Sequence, residues 1–261
     1  MSYGAFGSTI NTYADGAIGN FPAPKDISPD VGNILACPFS TDRTDLTGNH
    51  TLTVGTSTLP ANVGYNNETM LYTTDGTGDK IGTQTSEPAH AIGGTDPVTF
   101  GAMMRIDAWV SNAQIMTSAA SGGSANYGLI RFTNGNWAFR GALGGAEGQA
   151  WKTMTNRSPE DTQDGLWFHV AMRCNSGANT GQFFWNGTKV WTGTFGTNGR
   201  HTATASDRFN LNEANPSSDN PRFSGWWKNL FIADRELSDT EIRTLSDESF
   251  GHASPYTGGG I

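Results

Sequence analysis

Pairs of carboxylates are the first residues to consider for chemistry, because two of them held about 5 Å apart can act as acid and nucleophile in bond hydrolysis. On a β-strand, two such residues share a face only when they are two or four positions apart. The acidic group Glu160, Asp161 and Asp164 follows a proline that indicates a turn, so we interpret it as a solvated loop. No glutamate has a second acid at that spacing in an alternating strand pattern; the glutamates are Glu68, Glu87, Glu147, Glu160, Glu213, Glu236, Glu241 and Glu248.

The other catalytic residue types form no recognisable motif. The five histidines are scattered, and His169 stands in a strand pattern, where we expect a half-buried structural residue rather than a base. There is no G-x-S-x-G, H-E-x-x-H or P-loop sequence and no metal-spaced Cys/His cluster. We interpret Cys37 and Cys174 as two buried thiols, with one long-range disulfide as the alternative. The sequence therefore predicts a protein that is not an enzyme.

Tryptophan points to binding instead, because indole rings stack on ligand rings while polar side chains supply hydrogen bonds. We expect most of the tryptophans in the core and predict Trp151, in the polar stretch GQAWKTM, and Trp191 as an exposed pair that contacts a ligand. The chain has more tryptophans than a core of its size usually needs: Trp109, Trp137, Trp151, Trp167, Trp185, Trp191, Trp226 and Trp227.

Composition restricts the class of protein and of partner. The 261 residues include 34 glycines and only 15% charged residues, which favours many short strands joined by tight turns. The net charge of −8, without a Lys/Arg run, argues against nucleic acid or an anionic membrane as partner. No apolar run is long enough to span a membrane, and we find no signal peptide.

The strands that must position these residues are visible as alternating patterns. VTFGAMMRIDAWV, LWFHVAMRC and KNLFIA each alternate two sets of side chains. This phase predicts six core residues, which are Phe100, Met104, Val170, Met172, Leu230 and Ile232.

A hairpin is predicted in GQFFWNGTKVWTGTF, where Asn186-Gly187 favours a two-residue type I′ turn. The expected cross-strand pairs are Trp185 with Thr188, Phe184 with Lys189, Phe183 with Val190, and Gln182 with Trp191. Both hairpin faces would then be aromatic, so the second face is either covered or used for binding. On that face we predict Phe184, Lys189 and Trp191 as ligand-binding residues.

A helix-start signal follows the last strand. Ser238 and Glu241 have the spacing of a capping box, and Leu237 and Ile242 that of a hydrophobic staple. Ile242 and Leu245 share a face, so we predict a helix of one or two turns that closes against the sheet edge.

These pieces together resemble laminin-G-like, concanavalin-A-like jelly-roll domains. DRELSDTEIRTL resembles the C-terminal signature of that family, CPFSTDRTDLTGNHTLTV its opening strand and loop, and LWFHVAMRC with QFFWNGTKV its later strands. The resemblance covers about residues 33–247 and implies an all-β fold, a two-sheet antiparallel β-sandwich with a short C-terminal helix. Two departures are Lys228, where many members have an acid, and the bulky pair Trp226-Trp227.

The family includes glycosidases, lyases, lectins and adhesion modules, so fold alone does not select a function. The resemblance implies a calcium site built from a loop carboxylate and backbone carbonyls. The ligands would be Asp75 and Asp79 in DGTGDKI, with a plain Asx turn as the alternative. No other cofactor is expected.

We divide the chain into an N-terminal arm (1–30), the jelly-roll domain (31–248) and a Gly-rich tail (249–261). The arm is too apolar for a freely solvated tail, so we expect it to dock on virion proteins or on other subunits of its own kind. An extra edge strand on its own sheet is the alternative. Its apolar residues are Tyr3, Phe6, Ile10, Tyr13, Ile18 and Phe21.

Three functions of different class are consistent with the sequence. The preferred one is a non-catalytic phage virion component, a capsid decoration or tail-associated protein on the virion surface that binds cell-surface glycans. The second is an extracellular bacterial lectin or carbohydrate-binding module. A glycan-cleaving enzyme is disfavoured, because no carboxylate pair has the required spacing.

Overall fold

The computed structural model describes fourteen stretches of the chain, which are residues 26–39, 44–54, 64–65, 71–73, 81–82, 96–108, 114–120, 126–133, 136–140, 151–155, 167–175, 180–194, 207–211 and 224–250. Their strands and helix are Leu35–Cys37 (β1), Thr53–Val54 (β2), Gly64–Tyr65 (β3), Leu71–Thr73 (β4), Ile81–Gly82 (β5), Val98–Ala108 (β6), Gln114–Ala120 (β7), Asn126–Thr133 (β8), Asn136–Arg140 (β9), Trp151–Thr155 (β10), Trp167–Cys174 (β11), Thr180–Trp185 (β12), Thr188–Thr194 (β13), Asp207–Leu211 (β14), Ser224–Ala233 (β15) and Asp239–Phe250 (α1). Among these residues, no helix is both long and apolar enough to cross a membrane.

The strands form two antiparallel sheets. The eight-stranded sheet has the order β13-β12-β11-β6-β15-β4-β3, with β1 paired to β15. The seven-stranded sheet has the order β10-β9-β8-β7-β14-β5-β2. Both sheets combine consecutive strands with strands that are distant in sequence, as in β6 beside β15. The predicted two-sheet antiparallel jelly-roll sandwich is confirmed.

The main core lies between the sheets and is rich in aromatic side chains. Trp137 of β9 is fully buried, and its ring centroid lies 5.7 Å from that of Phe168 and 5.4 Å from that of Trp185 on the opposite sheet. Phe168 and Trp185 stack on each other at 4.7 Å. The predicted core residues are confirmed as buried, namely Phe100, Met104, Val170, Met172, Leu230 and Ile232. Cys37 and Cys174 are buried thiols in this same cluster, as predicted.

Helix α1 begins at the predicted capping box. The Ser238 amide donates to Glu241 Oε2 at 2.7 Å, and the Glu241 amide donates to Ser238 Oγ at 3.2 Å. Leu237 and Ile242, the predicted staple, are both fully buried. Burial alone would raise the pKa of Glu241, but hydrogen bonds from Ser238 and Arg235 lower it on balance.

The start of α1 was predicted correctly, but its predicted length and the part of the sheet that it covers were wrong. The helix has 12 residues and covers the outer face of the eight-stranded sheet, where Ile242 packs with Phe184 and Phe231. Its last turn is stabilised by a polar contact, since Asn229 Nδ2 donates to the buried Ser249 Oγ at 2.9 Å. The apolar pattern in the sequence ends before the helix does, because the buried residue of the last turn is a serine, which does not appear as apolar.

The hairpin turn was predicted correctly, but the register beyond it was not. Asn186 and Gly187 have φ of 47° and 72°, as the type I′ turn requires. A bulge after Phe183 leaves Val190 without the predicted partner, so Phe183 faces Trp191 and Gln182 faces Thr192. Val190 is 41% exposed. A single extra residue in one strand shifts every later pair.

Two residues that the sequence analysis assigned to the arm, Asp26 and Ile27, contact the eight-stranded sheet. Ile27 is buried in the cluster beneath α1, and its amide donates to Asn229 Oδ1 at 3.0 Å. Asp26 lies 3.8 Å from the ammonium of Lys228. The last part of the predicted arm therefore packs on the chain's own sheet at these two residues.

Candidate functional site

The outer face of the eight-stranded sheet is the candidate site, because its side chains change from buried to half-exposed along the strands. Strands β11, β6 and β15 align there in cross-strand rows. Helix α1 covers the rows at one end, and the row at the other end remains accessible. From the accessible end, the rows are Trp167–Arg105–Trp226, His169–Met103–Lys228, Ala171–Gly101–Phe231 and Arg173–Thr99–Ala233.

The accessible row, which we call the Trp–Arg–Trp row, consists of Trp167, Arg105 and Trp226. The guanidinium carbon of Arg105 lies 5.0 Å from the ring centroid of Trp226 and 6.0 Å from that of Trp167. These distances allow a cation–π interaction with both rings. All three side chains are half-buried. Tyr72 on β4 occupies the register position opposite Trp226.

The second row forms a buried layer next to the Trp–Arg–Trp row. His169 and Met103 are 1% and 5% exposed, and the His169 ring lies parallel to that of Phe231 at 6.3 Å. Burial lowers the pKa of His169 to about 4, so its imidazole is neutral at physiological pH. Burial also lowers the pKa of Lys228, and the carboxylate of Asp26 opposes that shift. His169, predicted to be half-buried, is thus more buried than expected and has no access to an external substrate.

The chemistry of the Trp–Arg–Trp row is that of recognition. Indole surfaces cover the apolar face of a ligand ring, and a guanidinium is a permanent cation with five N–H donors in one plane. Neither group transfers protons at neutral pH. The arrangement can bind and orient a ligand, and its three side chains supply no nucleophile or base.

Two of the predicted ligand-binding residues instead attach α1 to the sheet. Phe184 is fully buried beneath α1, with the guanidinium of Arg173 5.0 Å from its ring. Lys189 donates to Asp239 Oδ2 at 2.9 Å, and Arg173 donates to Asp239 Oδ1 at 2.7 Å. The hydrogen bond from Lys189 and the contacts with Arg173 lower the pKa of Asp239. The second aromatic face of the hairpin is therefore covered, and Phe184 is not accessible for ligand stacking.

The two tryptophans predicted to bind a ligand lie apart from the Trp–Arg–Trp row. Trp191 on β13 is half-buried and packs against the core between the sheets. Trp151 begins β10 on the seven-stranded sheet, and the structure does not describe its side chain. Asp75 and Asp79 lie outside the described residues, so calcium binding there stays a prediction. Within the described stretches, no cluster of three or more His, Cys, Asp or Glu could hold a metal ion.

Asp45, part of the loop that carried the family resemblance, has a structural role. Its carboxylate accepts hydrogen bonds from the amides of Ala36, Thr47 and His50 at 2.9, 3.0 and 3.1 Å and from the Thr47 hydroxyl at 2.7 Å. Burial alone would raise the pKa of Asp45, but hydrogen bonds from His50, Thr47 and the backbone lower it on balance. These donors connect the loop to β1.

Sequence reasoning missed the Trp–Arg–Trp row. The alternation of the strands puts Trp167 and Arg105 out of phase with the predicted core, and Trp226 stands out for its bulk, but no sequence pattern predicts that these three residues bind a ligand. The three residues are about 60 positions apart along the chain, and only strand pairing aligns them. The available signal was an aromatic or basic residue near one end of each long central strand.

Comparison with known proteins agrees with this fold. A laminin G-type family model described as the concanavalin A-like lectin/glucanases superfamily matches residues 75–243. No curated protein sequence is significantly similar to the chain.

Among solved structures, the similar ones include receptor-binding domains of toxins. The binding domain of botulinum neurotoxin DC in complex with rat synaptotagmin II has a TM-score of 0.64 at 16% identity, covering 83% of this chain and 51% of that one. The same domain in complex with SialylT gives 0.63 at 17%, with 83% and 51% covered. The binding domain of paraclostridial mosquitocidal protein 1 gives 0.61 at 13%, with 82% and 51% covered. The chain thus spans about half the length of each, and the likeness concerns the fold.

Proposed function

The chain belongs to the concanavalin A-like lectin/glucanase superfamily, and we propose that it is a non-catalytic module that binds glycans on the outer face of its eight-stranded sheet. The observation that carries this proposal is the Trp–Arg–Trp row, Trp167, Arg105 and Trp226, aligned across three strands and half-exposed. Aromatic rings with a few fixed polar groups are the usual composition of a site for a small ligand.

The structural neighbours support a binding role rather than catalysis. The three solved structures described above are binding domains, and one of them is in complex with SialylT and another with rat synaptotagmin II. The buried layer next to the row adds a physical argument. His169 is the titratable residue on β11 nearest the Trp–Arg–Trp row, and it is neutral and only 1% exposed to solvent.

A glycan array with matched tryptophan variants tests the proposal. Trp226→Ala and Trp167→Ala should each weaken binding to the selected glycans about tenfold or more, because an aromatic contact at the centre of a site carries much of its energy. Trp191→Ala is the control, because Trp191 is also half-buried but lies on the edge strand β13 and packs against the core between the sheets. Loss of binding only in the Trp191 variant would move the site to the hairpin predicted from sequence.

Display on a phage virion is the setting we propose for this binding. It is supported by the apolar N-terminal residues and by the Trp–Arg–Trp row, whose three side chains supply no nucleophile or base. Mass spectrometry of purified virions should detect the protein. Its absence from virions, together with its presence in a bacterial secretome, would favour the alternative of an extracellular lectin.

A further inference from the structure

We propose that residues 20–25, which we call the proline segment, lie across the Trp–Arg–Trp row of the same chain. An external ligand then has to displace the proline segment before it reaches the two indole rings, so the chain regulates its own binding site. The occupancy of the row by the segment does not depend on the nature of the ligand, whereas the competition with a glycan rests on the proposed function.

The first described residues of the chain lie beside the row, on the same outer face of the sheet. The Ile27 amide donates to Asn229 Oδ1 at 3.0 Å, and the carboxylate of the preceding residue, Asp26, lies 3.8 Å from the ammonium of Lys228. Two consecutive N-terminal residues thus contact two consecutive residues of β15 in the same order. Trp226 is two positions before Lys228 on that strand. A continuation in the same direction therefore leads the residues before Asp26 onto the row.

The proline segment is long enough to cover the row. Successive residues of a strand are about 3.4 Å apart, so the position of Trp226 is about 7 Å from that of Lys228 along β15. Neighbouring strands are about 4.8 Å apart, so the row extends about 10 Å from Trp226 on β15 to Trp167 on β11. In a polyproline II conformation the segment spans about 19 Å, which is sufficient for both distances.

The sequence of the proline segment, Asn-Phe-Pro-Ala-Pro-Lys, suits an aromatic surface. Pro22 and Pro24 restrict their own backbone and that of Phe21 and Ala23 to extended conformations, so little entropy is lost when the segment is ordered. The two prolines also lack an N–H group, so the segment has fewer polar groups to desolvate against an indole ring. Grooves lined by aromatic residues are the usual binding surfaces of such sequences.

Attachment to anchored residues favours this segment over other occupants of the row. Ile27 is 4% exposed in the cluster beneath α1, and Asp26 contacts Lys228, so the proline segment ends at a fixed point next to the row. A short tether gives an effective concentration of about millimolar order, at which even a weak contact between prolines and indoles is occupied. Residues 1–19 remain for the assembly contact predicted for the arm.

Hydroxyl-radical footprinting with mass spectrometry tests the occupancy without any ligand. It measures the oxidation rate of each tryptophan in the full chain and in a protein that lacks residues 1–25 but retains the contacts of Asp26 and Ile27. We expect Trp167 and Trp226 to be oxidised about threefold faster or more in the truncated protein, because in the full chain they react mainly in the fraction of molecules whose row is uncovered. Trp191 is the internal control, since it is half-buried on the edge strand β13 and should react equally in both proteins.

Matched variants of the full chain distinguish the proline segment from the rest of the arm. The combined variant Phe21→Ser, Pro22→Ser and Pro24→Ser should expose the two tryptophans of the row as the deletion does. The variant Tyr3→Ser with Phe6→Ser, which also removes apolar groups from the arm, should leave their oxidation rates unchanged. Melting temperatures of all proteins show whether any change in oxidation comes from unfolding.

The same proteins test the competition with a glycan. If the segment covers the row in about nine molecules of ten, the apparent Kd of a glycan selected on the array is about tenfold higher for the full chain than for the protein lacking residues 1–25. Calorimetric titration of both proteins with that glycan measures the ratio. Equal affinity of the two proteins would overturn the competition.

The outcomes separate this inference from the proposed function. Equal oxidation of the row tryptophans in the full and truncated chains would overturn the inference and leave glycan binding intact. Protection that disappears on dilution, together with a dimer in light scattering, would also overturn it, because the row would then be covered by a second copy of the chain. Protection that persists on dilution, with no glycan bound by either protein, would support the inference and overturn the proposed function.

Discussion

At the scale of single residues, His169 couples stability to pH. Its pKa is about 4 in the folded protein, against 6.5 for an exposed histidine, because burial disfavours the charged ring. Below pH 6.5 the unfolded chain binds a proton that the folded chain does not, so stability present above pH 6.5 is lost as pH falls towards 4. This pKa shift corresponds to a loss of about 3 kcal/mol in the free energy of unfolding between pH 6.5 and pH 4.

We therefore predict that His169→Phe flattens the pH dependence of stability. The Nδ1 atom of His169 has no hydrogen-bond partner in the described structure, and the ring already lies parallel to Phe231, so an aromatic replacement loses little. Urea unfolding from about pH 7.5 to pH 4 measures the effect. Asp45, Asp239 and Glu241 titrate in both proteins, so their contributions cancel when the two curves of stability against pH are subtracted. Parallel curves for the two proteins would contradict the prediction.

Two valines provide a matched test of the core. Val170 is fully buried between the sheets, and Val190 is 41% exposed in the bulge of the hairpin. We expect Val170→Ala to cost about 1–4 kcal/mol of unfolding free energy and Val190→Ala less than about 0.5 kcal/mol. Chemical denaturation measures both values. Equal values would mean that the strand phases are wrong.

Residue-level burial was largely predictable, whereas the candidate site was not. Alternation along one strand predicts which face Val170 or Met104 occupies, because that information is local. The Trp–Arg–Trp row depends on which residues of β11, β6 and β15 stand side by side. The partners of Arg105 are 62 residues away on β11 and 121 residues away on β15, and a shift of two positions would preserve every predicted face while dispersing the row.

At the scale of elements, the turn of the β12–β13 hairpin is a packing point for α1. Gly187 has φ of 72°, and a Cβ added there would lie 2.8 Å from Arg243 Cδ and 3.0 Å from Arg243 Cα. The second of these atoms belongs to the helix backbone, which cannot rotate away. Position 187 needs glycine for two reasons, its positive φ and the close approach of the helix. The turn sequence Asn-Gly predicted the first reason but not the second.

Gly48 supplies the control for a prediction about this contact. It has the same φ of 72°, but nothing lies within 4 Å of a Cβ added there. Gly48→Ala should cost about 1 kcal/mol from backbone strain alone, and Gly187→Ala about 1–3 kcal/mol more because of overpacking against α1. Thermal and urea unfolding of the two variants measure the difference. Equal costs would show that α1 moves away without penalty.

The elements that sequence predicted well are those with local signals. The capping box at Ser238 and Glu241 and the turn at Asn186 depend on residues next to them in the chain. The bulges lack such a local signal. Asn229, in the bulge of β15, has φ of 51° and hydrogen-bonds to Ile27 and Ser249, which are 202 and 20 residues away along the chain. A residue whose conformation is set by distant partners leaves no pattern in its neighbours.

At the scale of the whole molecule, the sandwich has apolar packing on both sides of one sheet. The cluster between the sheets includes Trp137 and Phe183, and the cluster beneath α1 includes Phe184 and Phe231. This explains why the hairpin is aromatic on both faces. The two-sheet fold was predictable from composition and resemblance, but the choice between a covered and a binding face required knowledge of where α1 lies.

The N-terminal end of the fold can be located by two truncations three residues apart. Ile27 is 4% exposed in the cluster beneath α1, and its amide bonds to Asn229, whereas Asp26 pairs with Lys228. Deleting residues 1–25 retains these contacts, and deleting residues 1–28 removes them. We expect the longer deletion to be less stable than the shorter by about 2–4 kcal/mol, the cost of losing a buried isoleucine and its hydrogen bond. Chemical denaturation of both truncated proteins measures the difference.

Assembly, which we attributed to the arm, is then tested with the shorter deletion, because a loss of assembly in that protein cannot be ascribed to the contacts of Ile27. Equal stability of the two proteins would place the boundary of the domain at residue 31, as the sequence predicted.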